Sequence, residues 1–315
     1  MGSLRYFPFG NQFDLRMGTS FLKPEDQLIE TDDHYLHEIT LKRHILDSDH
    51  RYYYRSSPET MAAQWDIVAL ILDDLVKSRP GDFKLEKDNI TWHWENKLTH
   101  ETFDFEFGDP STLPYEPLDW VGRQVQEDLI ILSNDSSATL VAGQLCFANG
   151  FSLDDKFNQP FLAIHAPAPR MVGPTMNAAH KLLEHLPPMR PIWRASWNFK
   201  INDELDLTSR HNLRYKKEMD AVSPTLTAEN IGDKLFIRIE RQTLTRLPVS
   251  NCILFGIHTY INLLGEECCD GDRASRMLDV LRTTPREMMD YKAISPFETA
   301  LLDYLALKAR NKVAS

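Results

Sequence analysis

Three places in the chain combine side-chain types that could do chemistry. His165 lies in Leu162-Ala163-Ile164-His165-Ala166-Pro167-Ala168-Pro169, an apolar run stiffened by proline. An imidazole in such surroundings is partly desolvated, which keeps it neutral and leaves one ring nitrogen able to ligate iron. The same surroundings suit a core histidine bonded to a backbone carbonyl. His180 falls in the middle of a helical pattern, with His185 further along. It could present a ligand from a helix beside a sheet, or occupy a half-exposed face.

The third place is Arg238-Ile239-Glu240-Arg241-Gln242-Thr243-Leu244. In a strand, period two puts Arg238, Glu240 and Gln242 on one face and Ile237, Ile239 and Arg241 on the other. Polar groups on both faces are unusual, and a buried Arg241 must be paired or must line a polar cavity. Nearby, Ile192-Trp193-Arg194-Ala195-Ser196-Trp197-Asn198 carries two tryptophans, which can wall a flat cofactor or fill a core.

Several elements must position these groups. Ser57-Pro58-Glu59 opens a helix with Trp65, Val68, Leu72 and Leu75 on one face. Residues 89–94 and 102–107 alternate as a β-ribbon with one wet face. Residues 128–133 and 138–142 form a hairpin around Asn134-Asp135. Pro174 to Leu186 has helical spacing, and three strands follow at 192–201, 235–244 and 252–263. Thr284-Pro285-Arg286-Glu287 and Ser295-Pro296-Phe297-Glu298 predict two capping boxes in a helical tail. The expected fold class is α+β, an antiparallel sheet with helices on one face. An N-terminal arm, helix and β-ribbon (1–110), a central core (111–268) and a C-terminal helical extension (269–315) form one unit.

Composition narrows the function. The chain has 315 residues, 42% of them hydrophobic, with 46 acidic and 35 basic side chains and a net charge of -11. Such acidity disfavours nucleic acids and anionic membranes as partners. Cys146 and Cys252 sit in apolar runs and predict buried thiols, while adjacent Cys268 and Cys269 predict a loop. That pattern suits neither a disulfide scaffold nor a protein-bound iron–sulfur cluster. No apolar stretch approaches a membrane span, and no signal-peptide pattern opens the chain, so a cytoplasmic location is expected. GxGxxG, P-loop, HExxH and GxSxG motifs are all absent, and His93 with His100 has no recognised metal spacing.

Five runs follow one another in a familiar order. They are Gln126-Glu127-Asp128-Leu129, Ile164-His165-Ala166-Pro167-Ala168-Pro169, Arg194-Ala195-Ser196-Trp197, Glu240-Arg241-Gln242-Thr243-Leu244 with Arg246-Leu247-Pro248, and Phe255-Gly256-Ile257-His258-Thr259-Tyr260. Together they resemble the alpha subunit of haem-dependent oxidative N-demethylase. Ala168 and Ser196 depart from that pattern, which more often has valine and asparagine there.

The resemblance implies a PAS-like domain that binds haem b through a histidine. His165 matches the family's run and is the first choice of iron ligand. PAS haem sensors place the ligand on the helix before the third strand, which makes His180 the alternative. The resemblance puts Trp197 and Tyr260 near the cofactor. It suggests Arg241 or Arg194 as donors that polarise O2, and Glu240 or Gln242 as acceptors for an ammonium group. The implied reaction oxidises dimethylamine with O2 to methylamine and formaldehyde. NADPH would supply electrons through reductase partner subunits carrying FMN and a 2Fe–2S cluster, and a folate-binding partner would capture formaldehyde on tetrahydrofolate. A PAS-type haem gas sensor and a haem-free interaction subunit are the rival readings.

Overall fold

The computed structural model describes residues 3–14, 18–169 and 173–310. Its strands are β1 (Ser20–Phe21), β2 (Tyr54–Ser56), β3 (Phe83–Asp88), β4 (Thr91–Asn96), β5 (Glu101–Glu106), β6 (Asp128–Leu132), β7 (Leu140–Gln144), β8 (Ile192–Lys200), β9 (Phe236–Arg246) and β10 (Ile253–Leu263). Among the described residues they form an antiparallel sheet in the order β1-β8-β9-β10-β6-β7-β2 and a smaller sheet β3-β4-β5. The molecule is therefore α+β.

Register decides what the large sheet can do. Arg194 sits opposite Gln242, and Ser196 opposite Glu240. Gln242 in turn faces Ile257, and Ile257 faces Asp128. Because directly paired residues point the same way, Arg194, Ser196, Glu240, Gln242 and Arg238 share one face. Trp197, Arg241, His258 and Tyr260 point to the other.

The first face is covered by the short helices Leu153–Lys156 and Phe161–His165 and by Pro174–Glu184. Leu153, Phe161, Met176, Ala179, Leu183 and Leu186 pack there against Ile130, Leu132, Ile192, Leu244 and Ile257. The opposite face is covered by both ends of the chain. Helix Met61–Ser78 buries Val68, Ile71, Leu72 and Leu75 against a core that includes Leu129, Ile131 and Leu254. Leu4 and Phe9 and the C-terminal helices pack on Trp197, Phe199, Ile237 and Ile239.

Local expectations and structure differ in four places. The ribbon gains the strand β3, whose pairing with β4 places Leu85 opposite Trp94. Ser57 makes no side-chain cap, because Pro58–Thr60 forms a 3-10 turn before the helix. Neither tail capping box forms: the Thr284 hydroxyl donates back to the Val280 carbonyl, and the Ser295 hydroxyl donates to Asp290. A capping box forms instead at Ser152 and Asp155. Cys268 is buried at the end of helix Leu264–Glu267, and Cys252 is half-buried. No helix among the described residues is long and apolar enough to cross a membrane.

Candidate functional site

His165 ends the helix Phe161–His165. Its Nδ1 lies 2.9 Å from the Phe161 carbonyl oxygen, and its ring packs on the Phe161 ring at 4.3 Å between centroids. A carbonyl can only accept, so Nδ1 carries the proton and Nε2 keeps its lone pair. Nε2 has no hydrogen-bond partner among the described residues. Burial lowers the imidazole pKa; the Phe161 carbonyl opposes that, and the nearby Arg194 guanidinium adds to it. The ring is therefore neutral near pH 7, the form that ligates a metal.

Arg194 belongs to a polar relay on the sheet face below. Its Nε donates to Gln242 Oε1 at 2.8 Å, and Gln242 Nε2 donates to Glu240 Oε2 at 3.1 Å. The Ser196 hydroxyl donates to the same Glu240 oxygen at 3.5 Å. Arg238 Nε approaches Glu240 Oε1 at 3.5 Å, while its terminal nitrogens donate to the Glu204, Leu205 and Phe147 carbonyls. Glu240 is thus held from several sides. Burial pushes the Arg194 pKa down and Glu240 pulls it up. Phe151, Phe157, Ile164 and Phe255 are half-buried against the apolar cluster on this face.

His180 stands elsewhere. Its Nε2 donates to the Ser136 carbonyl at 2.5 Å, and its Nδ1 lies 3.8 Å from Glu184. It lines a cavity of about 450 Å³ between its helix and the β6–β7 turn, with Arg246 and His185.

The structure separates three more of the expected residues from His165. Arg241 points through the opposite face, fully buried, donating to the carbonyls of Gln27 and Leu28, with Nε 3.5 Å from Glu30. Tyr260 donates its hydroxyl to Glu30 and stacks on His258 at 4.4 Å. Trp197 packs on Phe9 at 5.0 Å. The physical reason is the strand period: each is an odd number of residues from a neighbour that faces His165. These three are components of a core shared with the chain's ends.

That second core holds groups that sequence reading missed. His258 is wholly buried, with Nδ1 3.1 Å from Glu127 and Nε2 3.4 Å from Asp32. Burial disfavours its charge, yet Glu127 and Asp32 hold its pKa up to about 10. Burial opposes the Asp32 charge in turn, and the His258 contact holds that carboxyl down to about 2. Lys42 is buried too, donating to the Val125 and Glu127 carbonyls at 2.8 and 2.6 Å. Charged residues between Glu30 and Lys42, the later ones within helix Tyr35–Ser48, were the available signal.

Among the described residues no three His, Cys, Asp or Glu side chains converge to hold a bare metal ion. At His165 the arrangement present is one open imidazole on the side of the sheet that carries the donor–acceptor relay. Residues 21–302 match the model of the family described as haem-dependent oxidative N-demethylase, alpha subunit-like. That match covers most of the chain, and the protein belongs to this family, whose name points to a haem-dependent, oxidative N-demethylase-like oxidoreductase.

Proposed function

We propose that the chain binds haem b through His165 Nε2 and removes a methyl group from a small secondary amine, with dimethylamine as substrate. The balanced reaction is dimethylamine, O2, NADPH and a proton giving methylamine, formaldehyde, water and NADP⁺. NADPH, FMN, a 2Fe–2S cluster and tetrahydrofolate would belong to reductase and folate-binding partner subunits. The carrying observation is the His165 geometry, with Nδ1 committed to Phe161, Nε2 open, and the Arg194 guanidinium near enough to act on the imidazole.

The residues present suit a haem. A neutral histidine would offer one ligating nitrogen, half-buried aromatic side chains an apolar surround, and the strand face donors and an acceptor. When bound, haem would supply the oxygen-activating redox chemistry, which protein side chains cannot.

The chain's own residues do the rest. Hydrogen bonding to Gln242 fixes the plane of the Arg194 guanidinium, which would hold its charge in one orientation on the face where haem would bind. The Glu240 carboxylate accepts an N–H of the alkylammonium substrate, a charge-assisted hydrogen bond. Ser196 and Gln242 hold that carboxylate in one orientation. Glu240 Oε2 can also take the ammonium proton, leaving the amine nitrogen neutral beside the reacting centre. The helices over this face exclude bulk water, which strengthens each of these contacts.

The test is amine-dependent formaldehyde release by the haem-loaded chain with its reductase partners. Turnover of dimethylamine that requires NADPH and O2 supports the reading. Haem binding without turnover of any small secondary amine would favour a sensor instead.

A further inference from the structure

A second polar site lies at the far end of the same sheet face. It is a cavity of about 310 Å³ floored by Asn198 and Lys200 of β8. Asn212 and Tyr215 line it from helix Asn212–Val222, and Tyr291 and Lys292 from the end of helix Arg286–Tyr291. That volume admits a small molecule.

Its two lysines are poorly compensated. Lys200 is 8% exposed, and its ammonium makes no hydrogen bond or ion pair among the described residues; the Tyr215 ring centroid lies 5.1 Å away. Lys292 Nζ donates a single hydrogen bond, to the Trp197 carbonyl at 2.7 Å. The charged groups that act on Lys200 are Arg238, Glu240 and Lys292, so only one of them is a carboxylate. That carboxylate is already shared with Arg238, the Ser196 hydroxyl and the Gln242 amide. Burial lowers Lys200 to about 7 and Lys292 to about 8, with Arg238 adding to the first and Glu240 opposing both. An ammonium buried without an acceptor is costly, and an apolar residue would pack there at no such cost. In a chain of net charge -11, a cavity lined by two lysines with no carboxylate bonded to either among the described residues is an exception that an anionic ligand would resolve.

We propose that this cavity binds a small anion bearing a carboxylate or phosphate group, held between the Lys200 and Lys292 ammonium groups. The Asn198 and Asn212 amides supply further donors. The Tyr215 hydroxyl accepts from the Ile201 amide at 3.1 Å and keeps its own proton to donate. Charge-assisted bonds of this kind are the strong ones. The site needs no haem, because none of its lining residues belongs to the His165–Arg194–Glu240 group.

The experiment is calorimetric titration of the full chain with inorganic phosphate and with succinate, at constant ionic strength and against chloride. The expected result is saturable binding of at least one anion at one site per chain. Binding of phosphate alone or succinate alone identifies the source of the anionic group. Lys200→Met should weaken binding at least about tenfold, roughly the loss of one charge-assisted contact, whereas Lys200→Arg should retain it. Lys292→Met should also weaken it. Circular dichroism of the ligand-free variants separates lost binding from lost folding. The proposal is overturned if neither anion binds saturably below about 10 mM, or if folded Lys200→Met and Lys292→Met bind as the parent does.

Discussion

The Nδ1 atom of His165 and the carbonyl oxygen of Phe161, four residues earlier in the chain, are 2.9 Å apart. This bond assigns the tautomer and leaves Nε2 as the open nitrogen. His180 has the reverse arrangement, with Nε2 consumed by the Ser136 carbonyl. The untied nitrogen is therefore Nε2 at His165 and Nδ1 at His180, and the latter lies 3.8 Å from the Glu184 carboxylate on the same helix.

Glu240 should matter for the substrate more than for the cofactor. Glu240→Gln removes the acceptor charge and keeps the shape, so KM for dimethylamine should rise about 10- to 100-fold, the worth of a hydrogen bond to a charged group. The haem spectrum should stay unchanged. Steady-state kinetics with parallel absorption spectra would check both, and an unchanged KM would remove Glu240 from the amine site.

Arg194 and Arg241 should fail in different ways. Arg194→Met should keep the fold and lower kcat by about 10²-fold, as loss of a preorganised donor does. Arg241→Met leaves the Gln27 and Leu28 carbonyls and Glu30 without their partner. It should cost about 3–5 kcal/mol of stability, with kcat per folded molecule little changed. Urea unfolding alongside turnover distinguishes them, and equal stability losses would contradict the assignment of the two faces.

The His258 cluster should give stability a pH dependence of definite sign. Its folded pKa, about 10, lies above its ordinary 6.5. Its contribution is therefore complete below about 6.5 and is lost as pH rises towards 10. Asp32, held at about 2 against an ordinary 3.8, works the other way, and its contribution disappears as pH falls through that range. Glu127 is also lowered and is lost on the acid side. The urea midpoint should decline from pH 6.5 towards 10, and His258→Gln should flatten that decline while lowering stability throughout. An alkaline limb of equal slope in His258→Gln would assign it to other groups.

What could be read from the sequence was whatever depends on near neighbours. Alternation alone put Glu240 and Gln242 on one face and Arg241 on the other, and β9 places them so. The apolar spacing of Met176, Ala179, Leu183 and Leu186 is buried as a helix stripe. Choosing between Arg194 and Arg241 required the β8–β9 register, which is a long-range fact. The role of His180 required Ser136, which sits in a turn 44 residues away. Most of all, the role of the N-terminal arm was hidden because its partners are distant: Glu30 and Asp32 serve Tyr260, Arg241 and His258, more than 200 residues along the chain. Lys200 was illegible for the same reason, since its isolation is a property of the cavity and not of β8.

The most direct test of the His165 assignment is the absorption spectrum of the chain purified with ample haem, compared with His165→Ala and His180→Ala. The parent protein should show a Soret band near roughly 400 nm, the signature of bound haem. His165→Ala should lose or shift that band, with imidazole restoring it, and His180→Ala should leave it in place. A parent chain with no Soret band, or a band lost in His180→Ala and retained in His165→Ala, would contradict haem ligation by His165.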